Sequence, residues 1–94
     1  MNYRIIQSKQ FKRDVATLKR RGLEMSRLTS VVGMLSLGQR LPAQYHDHAL
    51  RGASLGRREC HIAPDWLLVY SKSEDEITLF LIRTGTHRDV GFEH

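Results

Sequence analysis

Apolar positions recur along this chain with two different periods, and the change of period divides it. The opening segment "NYRIIQ" (2 to 7) reads as a strand. From residue 8 the spacing turns helical. Phe11, Val15 and Leu18 fall at i, i+4 and i+7 behind Ser8, a residue suited to an N-cap. The basic turn "KRR" and Gly22 match the end of such a helix, where cations favour the negative pole and glycine accepts a left-handed turn. A second stripe of Met25, Leu28, Val32 and Leu35 predicts a helix over about 24–37, ending near Gly38 and before Pro42. So short a link folds the two helices into an antiparallel hairpin.

Residues 39–56 lose the pattern and are rich in turn formers. Period two then returns. In "RRECHI" (57 to 62), Arg57, Glu59 and His61 alternate with Arg58, Cys60 and Ile62; "WLLVYSK" (66 to 72) and "EITLFLIRT" (76 to 84) follow closely. Short connections make these three strands an antiparallel meander. The order β-α-α-β-β-β predicts an α+β domain: a helical hairpin packed on one face of a mainly antiparallel sheet. With 94 residues, no repeat and no linker, residues 1–94 form a single domain.

Charge changes the picture more than composition does. Residues 1–60 hold 12 of the 15 Lys+Arg but only 4 of the 10 Asp+Glu, a net +8, whereas residues 61–94 carry −3. Runs such as "KRDVATLKRR" point to a polyanionic or acidic partner. The absence of a long apolar run argues against membrane insertion or a secretory signal, so a cytoplasmic protein is expected. Cys60 is the only cysteine; it excludes an internal disulfide and, facing inward by parity, reads as inert core.

The chemistry concentrates around "HIAPDWLLVY" (61 to 70), where His61 and Asp65 flank a Pro turn that feeds an apolar strand. His48 lies in a polar loop beside His46 and Asp47, and His87 follows a Gly turn just past the last strand. Arg83 closes that strand on the face of Leu79 and Leu81, so it requires a partner or an anion. In an antiparallel meander His61, Asp65, Arg83 and His87 gather at one rim, within reach of the His48 loop. Imidazoles, with an ordinary pKa of about 6.5, exchange protons near neutrality, and a guanidinium stabilises phosphate charge. The set suits a phosphodiester. Zinc is the weaker alternative, because no compact ligand pair is present and the arginine repels a dication.

At these residues the chain resembles a known family. "DHALRG" (47 to 52), "RECHIAPDWLLVY" (58 to 70) and "RTGTH" (83 to 87) look like the YafQ branch of the RelE toxin superfamily, and the likeness runs over nearly the whole chain. The resemblance implies the toxin of a bacterial type II toxin–antitoxin module: an endoribonuclease that enters the ribosomal A site and cleaves translated mRNA. It implies catalytic roles for His48, His61, Asp65, His87 and Arg83, without metal or other cofactor. Trp66, Phe92, Arg57 and Arg58 are expected to contact the RNA, with Phe92 in a differently spaced C-terminal segment. The expected mechanism is attack by the RNA 2′-hydroxyl, with His48 or His61 as base and His87 as acid. An acidic, DNA-binding antitoxin is the expected partner, in a hetero-oligomer. The alternative is a basic RNA- or protein-binding module that cuts nothing.

Overall fold

The computed structural model describes residues 2–52 and 55–90. Strand β1 (Arg4–Gln7) leads into helices α1 (Lys9–Arg20) and α2 (Met25–Ser36). A 3₁₀ turn (Ala43–Tyr45) and a two-residue strand β2 (His48–Ala49) follow, then β3 (Arg58–Ala63), β4 (Trp66–Ser73), β5 (Thr78–Gly85) and a single helical turn α3 (His87–Val90). The sheet has the order β1-β5-β4-β3-β2. β2 to β5 are antiparallel neighbours, while β1 joins β5 in parallel, with Arg4 opposite Thr78 and Gln7 opposite Leu81. A parallel neighbour needs a long crossover, and the helical hairpin supplies it. No helix among the described residues is long and apolar enough to cross a membrane.

The expected caps form. Ser8 Oγ accepts from Phe11 N–H at 2.9 Å and also donates to the Ile82 carbonyl at 2.7 Å, tying the start of α1 to β5. Gly22 takes φ +83°, and the N–H groups of Gly22 and Leu23 donate to the carbonyls of Lys19 and Leu18. Phe11, Leu18, Leu28, Val31 and Leu35 bury against Cys60, Ile62, Trp66, Leu68, Tyr70, Leu79 and Leu81. Val31 is the fully buried residue where Val32 was expected. Both border the stripe, and the sheet selects the one that meets it, leaving Val32 half-buried.

Two features were absent from the expected topology. β2 adds a fifth strand from the turn-rich segment, too short for a period to register. α3 begins at a reciprocal cap: Thr86 N–H donates to Asp89 Oδ2 at 3.0 Å and Asp89 N–H to Thr86 Oγ1 at 3.2 Å. That signal, T-x-x-D in "THRD", is present in the sequence. It also explains Gly85, because a Cβ there would meet Asp89 Oδ2 at 2.8 Å.

Candidate active site

The register of the meander builds the site. Ala63 pairs with Trp66 across the Pro64–Asp65 turn, and Leu67 lies between His61 on β3 and Gly85 on β5. The end of β3, the turn and the exit of β5 therefore share one rim. There, Asp65 Oδ1 accepts from His87 twice, from the backbone N–H at 2.9 Å and from ring Nδ1 at 2.7 Å. The backbone donor first, and the ring second, hold the Asp65 carboxyl below the usual carboxylate range. A carboxylate only accepts, so Nδ1 carries the proton and Nε2 is left for other chemistry.

His61 is the middle of a row. Its ring centroid lies 5.5 Å from His87, 5.6 Å from His46 and 6.4 Å from His48. His48 pairs with Glu59 across the β2–β3 ladder. Its Nδ1 donates to the His46 carbonyl at 2.7 Å, and its Nε2 faces buried Glu59 Oε1 at 3.4 Å. His46 was outside the expected site, yet its ring sits nearer His61 than that of His48 does. Loop residues have no period from which this closeness can be read.

What anchors the loop is Asp47, between the two histidines. Tyr70 Oη donates to its Oδ1 at 2.6 Å, and Arg58 donates to its Oδ2 from Nη2 at 2.9 Å and Nε at 3.2 Å. Burial, reinforced by Asp47, pushes the Tyr70 phenol well above its ordinary range. The carboxylate thus crosses to the core side of the sheet. His46, in the left-handed region at φ +48°, and His48 remain at the rim.

Several expected site residues are placed differently. Arg58 was expected on RNA, but its guanidinium is committed to Asp47. Trp66 is 4% exposed and donates from Nε1 to Thr84 Oγ1 at 2.9 Å, so it is core and has no face for a base. Arg83 does not share the face of Leu79 and Leu81. The ladder shifts between Val69 and Tyr70, setting Arg83 opposite Val69 and Leu81 opposite Tyr70. Asp14 of α1, buried and unforeseen, receives Arg83 Nε at 3.0 Å and also caps the Thr84 N–H at 3.0 Å. Arg57 precedes β3 and lines a separate cavity of about 500 Å³ with Ile6 and Phe80. Phe92 lies outside the described residues.

A larger cavity of about 990 Å³ opens beside His46 and His61, between them and the first turns of α2.

A helical hairpin on a mainly antiparallel sheet, with a row of imidazoles at one rim, defines a RelE-like toxin domain. The family described as "Bacterial toxin of type II toxin-antitoxin system, YafQ" matches residues 3–91. The mRNA interferase toxin YafQ of Escherichia coli K12 is 40% identical over 81 residues, covering 85% of this chain and 86% of that protein. Among solved structures, a metal-bound toxin from Helicobacter pylori superposes with a TM-score of 0.88 at 42% identity, covering 96% of this chain and 99% of that one. The E. coli DinJ–YafQ toxin–antitoxin complex gives 0.87 at 34% identity, over 96% and 98%. This chain belongs to the YafQ family of type II toxins. As to metal, among the described residues no group of three or more His, Cys, Asp or Glu side chains is arranged to hold an ion, and His87 Nδ1 is already taken by Asp65.

Proposed function

We propose that this chain is an mRNA interferase, an endoribonuclease that cleaves mRNA on the ribosome and so halts translation in the cytoplasm. The observation that carries the reading is the His61–His87 pair, 5.5 Å apart, with Asp65 holding one face of His87. Two proton-transfer groups at that separation suit the two oxygens that change bonding at one phosphodiester.

The RNA's own 2′-hydroxyl is the nucleophile. His61 or His48 takes its proton as the 2′-oxygen bonds to phosphorus. His87 acts as the imidazolium, its Nδ1–H held by Asp65, and its Nε2–H passes to the 5′-oxygen as the phosphorus–oxygen bond breaks, leaving a 2′,3′-cyclic phosphate, a 5′-hydroxyl and a neutral His87. Asp65 keeps His87 turned so that Nε2 faces the reaction. Arg83, held by Asp14, acts as a positioning residue for the end of β5 and contributes its charge at one remove. The partner is an acidic antitoxin. The +8 of residues 1–60 favours fast encounter with it, as it does with ribosomal RNA.

Induction of the wild-type chain without antitoxin, with primer extension on cellular mRNA, tests the reading. New 5′ ends within translated frames are expected, and none with His87→Ala at equal soluble level. Identical growth and intact mRNA in both cultures would leave only a binding module.

A further inference from the structure

Apart from His61, the groups lining the cavity beside the histidine row have no part in the acid–base chemistry above. The cavity measures about 990 Å³, the upper end of the range for sites that hold a small molecule. Three kinds of group converge on it. Ser26, Arg27 and Ser30 come from the first turns of α2, Gln44 and Tyr45 from the 3₁₀ turn, and His46 and His61 are shared with the active rim. Among the described residues, no acidic side chain lines it. Arg27 is exposed and is braced across the cavity edge, its Nη2 donating to the Ile62 carbonyl at 3.3 Å.

We infer that this cavity is the seat of the nucleotide on the 5′ side of the cut, the one whose 2′-hydroxyl attacks. The inference rests on the nuclease reading and follows from the arrangement of the row. His87, the acid, serves the departing 5′-oxygen. His61 neighbours both histidines, its ring 5.5 Å from His87 and 5.6 Å from His46, and it is His61 and His46 that line the cavity, without His87. The strand upstream of the phosphate must leave past His61 toward His46, and the cavity opens there. The lining matches the ligand: a guanidinium for the preceding phosphate, a phenol ring for stacking, and a carboxamide and hydroxyls for base edges. Stacking on one ring tolerates any base, whereas the Gln44 carboxamide supplies preference among them.

The test uses binding rather than turnover, so that it stands apart from the nuclease reading. A trinucleotide RNA carrying 2′-deoxyribose at its first two residues, which leaves no 2′-hydroxyl to attack either phosphate, is titrated into ¹⁵N-labelled protein. Shifts of the Ser26, Arg27, Ser30, Tyr45 and His46 amides are expected to saturate together. Arg27→Ala should weaken binding about tenfold and Arg27→Glu more, because a charge-assisted phosphate contact is lost and then reversed. Arg20→Ala, on the exposed side of α1, should change it far less. Equal losses from Arg20→Ala and Arg27→Ala, or shifts confined to α1, would show diffuse charge attraction and overturn the inference. RNA seated in the cavity of a protein that cleaves nothing on ribosomes would refute the nuclease reading, and with it the assignment to the 5′ side of a cut, leaving an RNA-binding cavity.

Discussion

His87 and Asp65, 22 positions apart, meet through one oxygen: Asp65 Oδ1 accepts from the backbone N–H and from the ring Nδ1 of His87. The backbone bond orders the start of α3 and the ring bond sets which nitrogen is presented. Position and tautomer are therefore set by a single exposed carboxylate on a turn.

Because that carboxyl is depressed, its contribution is complete above the ordinary aspartate range and is lost only as pH falls through the lowered value, below about pH 4. Carboxyl NMR titration should place Asp65 below free aspartate. In His87→Ala much of the depression should persist, since the backbone donor is its first cause. Activity lost on acidification between pH 5 and 7 would then report a group other than Asp65.

Asp65→Ala, His61→Ala, His87→Ala and His48→Ala are each expected to slow cleavage by about 10²–10⁴-fold, with the fold and antitoxin binding retained. Single-turnover cleavage and antitoxin pull-down measure both. His46→Ala keeps the carbonyl that orients His48 and should stay toxic. Its expected defect is a higher half-saturating concentration with a nearly unchanged maximal rate.

Asp47 contacts no reacting atom in the proposed mechanism, yet it should matter to the rate. Asp47→Ala leaves Arg58 and the Tyr70 hydroxyl without their acceptor and releases the histidine loop. A loss of about 2–3 kcal/mol is expected in urea unfolding, with slower cleavage by the protein that remains folded. Tyr70→Phe, which removes one of the bonds and keeps the ring, should recover most of the rate. Equal rates in Asp47→Ala and wild type would rule out the positioning role.

Removing Asp14 strips a mostly buried guanidinium of this carboxylate and leaves the Thr84 N–H uncapped. Asp14→Ala should cost about 3 kcal/mol, which lowers Tm by about 10 °C or more in a domain of this size. Asp14→Asn, which retains an acceptor for Thr84, should lose less. Calorimetry of the two variants decides.

Burial pushes the Cys60 thiol up to about 12, so native protein should resist a thiol-specific reagent at pH 8 and react promptly once unfolded in guanidinium. Fast labelling of the native state would mean that the β3–β4 core opens readily.

Periodicity along the chain was enough for the helices, the three long strands and most of their hydrophobic faces, Val31 and Arg83 being the exceptions, because those depend on which residues must leave water together. Caps at Ser8 and Gly22 were equally legible, being local. The rim shared by His61, Asp65 and His87 also followed, since an antiparallel meander with short turns allows no other neighbourhood. Pairings between distant segments were a different matter. The parallel seat of β1 beside β5, the register shift that turns Arg83 to Asp14, and the closure of Asp47 onto Arg58 and Tyr70 each join positions with no common period. The last of these carries His46 to the active rim. Such contacts are chosen by where polar groups find partners once the core has closed, a competition among all buried donors and acceptors that only the assembled fold resolves.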